Sequence, residues 1–533
     1  MAHRNGASAV ARAWRGLTLA EKLAAWWRPI PLLFALILIA AGPTPARAAP
    51  EGQLTWGVHI SLAPTWFDPG EMPSLITPYM VMYALHDSLV KAMPGNPMTP
   101  SLAESWSVSP DGLTYEFVLR KGAKFHNGDD VTSADVKFSF ERYHGTSKAI
   151  LHERVASVET PDAQHVRFKL KQPWSDFLTF YLGASGANWI LPMQYIEKVG
   201  DDGFKKAPIG AGPYKFVSFQ PGLELKLEAF EQYWRKMPNL KTLVFKVIPD
   251  EATRLAALKR GEVDIAYSIR GELAEELQRT KGLTLKPTAI QATFWLLFAD
   301  QWNPKSPWHD PRVRQAAYLA IDHDGINQAL TLGYSKITGS IIPNTFAHYW
   351  QPPLPTYDPA KAKKLLAEAG YPNGFDGGDY NADVSYANLA EAVINNFEAV
   401  GIHVKLRPLE RAAFDKSYSE KSLKNIIQSG SAAFGSAATR LETYVVKGGA
   451  YVYGSYADLD EAFREQDTEL DPKKRDDLLQ KMQQVVYERS MFAHLWQLGF
   501  INGAGPRVKE SGLGLIPGHA YSAPYEDVAI IGQ

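Results

Sequence analysis

The sequence predicts an α/β protein built from more than one lobe, and three observations carry that expectation. The chain has 533 residues, more than a single hydrophobic core usually encloses. Segments that alternate apolar and polar residues are interleaved with segments of helical period. Hydrophobic residues make up 45% and charged residues 21%, the balance of a globular body.

The elements follow in order. Tyr115, Phe117 and Leu119 share one face of a strand, as do Val166, Phe168 and Leu170 after the Pro161-Asp162 turn, and Leu223, Leu225 and Leu227. Thr132 is placed to cap a helix carrying Val136 and Phe140. Asp310-Pro311, Asp358-Pro359 and Asp471-Pro472 share one logic. The Asp carboxylate accepts from the free first-turn amides, and Pro has no amide to leave unpaired there. Asp250 opens another helix, which ends at Gly261.

The N-terminus reads as an export signal. Arg4, Arg12, Arg15, Lys22 and Arg28 form a basic front, residues 30–41 are apolar, and Ala46-Arg47-Ala48 is a small-x-small cleavage pattern. The apolar run is shorter than the roughly 20 residues that span a bilayer. Cleavage after Ala48 would leave a mature chain of net charge −6, against −1 for the whole. Cysteine is absent, which excludes disulfides, thiolate metal sites, a cysteine nucleophile and an acylated-cysteine anchor. The charge balance carries no nucleic-acid footprint.

Catalytic signatures are missing: there is no H-E-x-x-H, no G-x-S-x-G and no Gly-Lys dipeptide. The 13 histidines lack metal-ligand spacing, and acidic pairs such as Asp129-Asp130 sit in Gly-containing turns. No cofactor, metal or catalytic residue is expected.

One stretch is more specific. Ser101-Leu102-Ala103-Glu104-Ser105-Trp106 leads to Ser109-Pro110-Asp111-Gly112-Leu113-Thr114-Tyr115, then to Lys124-Phe125-His126-Asn127-Gly128 and Ala134-Asp135-Val136-Lys137-Phe138-Ser139. Gly210-Ala211-Gly212-Pro213-Tyr214, Tyr233-Trp234 and the D-P-R-V-R-Q-A run from Asp310 follow, as does the Y-D-P-A-K-A-K-K-L-L run from Tyr357. Together these resemble the peptide- and nickel-type periplasmic solute-binding proteins of ABC importers, extracellular solute-binding protein family 5, over nearly all of the mature chain. The resemblance implies a two-lobed periplasmic-binding-protein fold with two hinge crossings. Carried over, residues 1–48 are the signal peptide, residues 49–295 with 498–533 the larger lobe, and residues 296–497 the smaller lobe. The crossings fall near residues 296–299 and 495–498. The implied function is capture of a solute in the interlobe cleft and its delivery to a membrane permease. An extracytoplasmic enzyme or a chaperone-like protein on the same scaffold is the competing reading. The expected partners are a small solute, peptide-like, opine-like or sugar-acid-like, and inner-membrane permease subunits, with the protein acting as a periplasmic monomer.

Three places are expected to read the ligand. One is the loop after the first mature strand, with Trp66, Asp68 and, further on, Met72 and Tyr79. Another is the crossing region, with Trp295 and Trp496, for which core packing is the alternative. The third is residues 429–443, with Ala437 and Arg440. Similar proteins often use an acid in this third place to receive a peptide's ammonium group. Here small residues fill it and Arg440 is its cation. An ordinary linear peptide held by its free amine is therefore not expected, unless Asp68 or Glu71 substitutes. Arg440 would instead face a carboxylate, phosphate or sugar acid, or form a salt bridge with Glu442 or Asp68.

Overall fold

The computed structural model describes residues 49–71, 77–431, 435–469, 471–516 and 519–531. The expected export signal and Met72 lie outside the described residues. The alternating segments form strands as the pattern requires. Thr114–Leu119 and His165–Leu170 pair antiparallel in a four-stranded sheet and bury every second side chain. Leu225 and Leu227 are buried in the strand Glu224–Ala229, but Leu223 is 60% exposed. It belongs to the turn at Gly222, where the hairpin reverses and the alternation no longer faces a core.

The caps behave as their chemistry dictates. Thr132 and Asp135 form a reciprocal capping box on the helix Ser133–Arg142. Asp310, Asp358 and Asp471 each accept a first-turn amide of the helices Pro311–Ala320, Pro359–Glu368 and Pro472–Glu488. Asp250 does the same for Glu251–Lys259. Gly210 and Gly212 have a packing reason. A Cβ on Gly210 would lie 1.9 Å from the Leu85 carbonyl oxygen, and one on Gly212 would lie 2.6 Å from the His86 amide nitrogen. The bend into the strand Tyr214–Gln220 thus lies directly on the end of the helix Tyr79–Leu85.

Two lobes share one sheet of 11 strands. On one side lie Tyr214–Gln220, Glu224–Ala229, Thr242–Val247, Gln53–Val58 and Ile265–Ala266. On the other lie Ile426–Ser431, Phe375–Asp383 and Ile402–Leu409. The long antiparallel strands Thr284–Phe298 and Phe492–Ala504 run between them and join the halves. Their pairing is regular from Thr284 opposite Ala504 to Ala289 opposite Gly499, and its register shifts between Ala289 and Thr293 and again before Trp295. Beyond that point Thr293–Phe298 pairs on its other edge with Ile426–Ser431. Among the described residues no helix is long and apolar enough to cross a membrane.

Candidate functional site

Polar side chains from both halves converge where the crossing strands change partners. From the first half, His59 follows the strand Gln53–Val58 and is 3% exposed, and Arg270 precedes the helix Gly271–Arg279. Tyr521 arrives from the C-terminal segment. From the second half, Ser385 and Tyr386 form a helical turn after the strand Phe375–Asp383, and Arg411 and Asp415 project from the helix Arg411–Ser419. Contacts cross between the halves here. Arg270 donates from Nη1 to the Ser385 carbonyl at 2.9 Å, Arg411 donates from Nη1 to Thr77 Oγ1 at 2.9 Å, and the hydroxyls of Tyr386 and Tyr521 are bonded. Arg411 is ion-paired with Asp383.

The loop that carries Arg270 is held firmly. Arg254 is 1% exposed and donates to the carbonyls of Tyr267, Ser268, Ile248 and Pro249. The Ser268 amide donates to Asn502 Oδ1 at 3.0 Å, and Ser268 itself adopts φ 56°. A non-glycine residue in this left-handed region costs on the order of 1 kcal/mol and persists only where the surroundings fix it. Burial, followed by the charges of Arg254, Arg411 and Arg270, pushes the His59 pKa well down, so its ring is neutral.

A second group adjoins the first. The helix Ala437–Tyr444 begins at a Ser436–Thr439 capping box, and Ser436 Oγ donates to Asp176 Oδ1, distant in sequence, at 3.0 Å. Arg440 is 3% exposed, donates to the Ser431 carbonyl at 3.4 Å and lies over the rings of Phe346 and Tyr444. Tyr418, Tyr451 and Tyr444 stack in sequence, with centroids 4.6 and 5.4 Å apart. One oxygen of Asp415 is buried without a hydrogen-bond partner, as are both His59 ring nitrogens and the Nη2 atoms of Arg270 and Arg411 in the group above. Burial raises the Asp415 pKa to about 7, against the opposing charge of Arg411. Buried polar groups are normally satisfied, so such a concentration of open donors and acceptors marks a place for a polar guest.

The residues expected from the sequence divide among these surroundings. Trp295 stands edge-on to Tyr444 at 5.0 Å, Ala437 sits in the first turn of the helix that carries Arg440, and these are brought together. Tyr79 faces His519 edge-on at 4.6 Å in the first half. Trp66 is buried in the main core. Trp496 is buried, with its indole N–H donated to the His323 carbonyl at 3.1 Å. Asp68 accepts from Arg142 through both oxygens at 2.8 and 2.7 Å, and from the Gly70 amide. Glu71 is ion-paired with Lys205. Both acids named as possible partners of an ammonium group are thus committed within their own half. Glu442 pairs with Arg154 rather than Arg440. Asp415, Arg270, Arg411 and His59 were not foreseen. The Arg411–Asp415 spacing on a helix was the available signal, but an acid four residues after an arginine reads as an exposed pair until its burial is known.

Among the described residues no cluster of His, Asp and Glu could hold a metal ion. A family model for the bacterial extracellular solute-binding proteins, family 5 Middle, matches residues 97–451. The glutathione-binding protein GsiB of Salmonella choleraesuis (strain SC-B67) is 34% identical over 282 residues, covering 51% of this chain and 53% of that protein. GsiB of Escherichia coli (strain K12) is 33% identical with the same coverage. The chain spans about half the length of the curated relatives it matches. Among solved structures, AgaA of A. tumefaciens R10 in complex with agropinic acid is 26% identical with a TM-score of 0.78, covering 90% of this chain and 99% of that one. MoaA from the same source, in complex with mannopinic acid, is 25% identical with the same TM-score and coverage. DppA of Helicobacter pylori, in complex with the peptide STSA, is similar in fold at 24% identity, with a TM-score of 0.77 over 90% of this chain and 98% of that one.

Proposed function

This chain belongs to the bacterial extracellular solute-binding proteins, family 5, and we propose that it is the periplasmic receptor of an ABC importer, enclosing a small peptide-like or opine-like solute between its lobes. The observation that carries this reading is the convergence of buried, unsatisfied polar groups from both halves at the strand crossing. A solute seated there touches both lobes, so its binding free energy favours closure over opening. The irregular ladder between Ala289 and Trp295 is the natural hinge in the strand Thr284–Phe298, with residues 49–295 and 498–533 moving against residues 296–497. Ala437 and Arg440 line the smaller-lobe side in this proposal, Trp295 stands at the boundary between the lobes, and Tyr79 lies on the larger. Delivery to the permease follows export and removal of residues 1–48, and the protein binds without chemical turnover.

Asp415 changes the expected ligand chemistry. A buried carboxylate with an open oxygen can receive an ammonium group, so a free amine is compatible with this site although residues 429–440 supply no acid. The test is mass spectrometry of small molecules released by denaturing the purified protein, followed by calorimetry of the refolded protein with glutathione, mannopinic acid, agropinic acid and short peptides. Saturable one-to-one binding of a released or added solute is expected. Absence of both overturns the reading.

A further inference from the structure

We propose that Arg270 is a charge held for the solute rather than for the fold: with Arg411 and His59 it forms a subsite for a carboxylate or similar planar anion. The proposal rests on the solute-binding reading and adds the chemical group that the site selects.

The other buried arginines of this protein are committed to partners within it. Arg254 spends its guanidinium on four backbone carbonyls. Arg314 does the same with the carbonyls of Trp308, His309, Arg489 and Ser490. Arg142, Arg154, Arg411 and Arg475 each face a carboxylate. Arg270 is 6% exposed, donates to one carbonyl, that of Ser385, and forms no ion pair among the described residues. Its Nη2 has no partner. A desolvated guanidinium left this way is costly, and a matching anion removes the cost.

The groups around Arg270 favour an anion at this point of the site. Arg270 and Arg411 lie over the same Tyr386 ring, 4.9 and 5.3 Å from its centroid, and Arg411 Nη2 is also open. Both ring nitrogens of His59 are unpartnered, and the ring packs 4.9 Å from that of Tyr521. The neighbouring hydroxyls of Ser385 and Ser522 are buried and unpaired as well. Of the nearby acids, Asp383 is taken by Arg411 and Glu251 accepts from the Arg270 backbone amide, while Asp415, one turn along the Arg411 helix, keeps an open oxygen. Two open guanidinium edges beside one ring suit a planar, two-oxygen acceptor, which guanidinium groups bind through paired hydrogen bonds.

The test has two readouts on the full mature chain. In the first, urea unfolding of ligand-free protein compares wild type with Arg270→Gln. A residue kept for a ligand burdens the empty protein, so the variant's midpoint is expected to equal or exceed that of wild type. A lower midpoint shows that Arg270 serves the fold and overturns the proposal. In the second, calorimetry uses glutathione, mannopinic acid and the tetrapeptide STSA, each as free acid and as carboxyl methyl ester. In wild type, esterification of a bound probe is expected to weaken binding about thirtyfold, the effect of losing a charge-assisted pair. In Arg270→Gln it is expected to change affinity less than about threefold, with Arg270→Lys intermediate. Equal binding of acid and ester by wild type overturns the anion subsite while leaving the solute-binding reading intact. If no probe binds and no solute is released on denaturation, the solute-binding reading itself falls, and this proposal with it.

Discussion

Asp415 shows how one side chain couples the site to pH. Burial raises its pKa to about 7, while Arg411 on the same helix pulls the other way and Glu410 adds to the rise. In the unfolded chain the group has an ordinary carboxylate pKa near 4. The folded value is the higher one, so the folded protein holds the extra proton between these limits. Its contribution to stability is fully present below about pH 4 and is lost as pH rises through 7. Asp415→Asn removes the titration. We expect it to stabilise the ligand-free protein at pH 8 by on the order of 2 kcal/mol and to change little at pH 4, measured by urea unfolding at the two pH values. A wild-type difference between pH 4 and 8 that the variant reproduces in full would show that Asp415 carries no share of it. The same residue marks the limit of what sequence discloses. Nothing in Arg411-Ala412-Ala413-Phe414-Asp415 says that this helix turns toward the crossing strands, because that depends on pairing between Thr284–Phe298 and Ile426–Ser431, distant in sequence. Trp496 marks the same limit from the other side. Its type suits a pocket, yet the strand's register turns it onto His323.

At the scale of elements, local chemistry was far more legible. The Asp-Pro pairs at 310, 358 and 471 each predicted a helix start and produced one, since a cap satisfies amides within a single turn and needs no distant partner. Alternation likewise located the two central strands of the four-stranded sheet. What sequence could not show was which element each motif touches. The Gly210-Ala211-Gly212 run is a case: its small residues are required because the carbonyl end of another helix lies against them. Gly212→Ala places a methyl group 2.6 Å from backbone atoms of Leu85 and His86, which cannot swing aside as a side chain could. The expected loss is about 1–3 kcal/mol, read as a lower denaturation midpoint, with solute affinity unchanged in the folded fraction. An unaltered midpoint would mean that the helix end yields freely.

Across the whole molecule, the two halves are latched away from the proposed solute site as well as at it. Asp176 accepts from Ser436 and is ion-paired with Arg475. Arg154 reaches Glu442 at 2.8 Å and Asp467 at 2.9 Å through one nitrogen, beside a cavity of about 270 Å³. One guanidinium nitrogen cannot neutralise both acids. Burial, with Asp467, Asp176 and Glu153 nearby, outweighs Arg154 and raises the Glu442 pKa to about 8. Opening the lobes returns Glu442 to water and to an ordinary value. The closed form therefore gains from protonation, a gain complete below about pH 4.5 and lost as pH rises through 8. Small-angle scattering of ligand-free protein is expected to show a larger radius of gyration at pH 9 than at pH 6, and Glu442→Gln is expected to stay compact at both. A wild-type radius that does not change with pH would rule out the latch as a titrating device.

The continuous sheet has a further consequence, for the order in which the chain can fold. Ile265–Ala266, at the inner edge of the first half, pairs with residues 503–504 of the strand Phe492–Ala504, and Thr284–Phe298 needs the same strand along most of its length. The junction between the halves thus waits for one late segment. A polypeptide emerging N-terminus first, from a ribosome or through a membrane pore, has the strands of each half before the strand that joins them. Such long-range pairing makes folding slow, and the two halves stay unjoined until residues 492–504 have emerged.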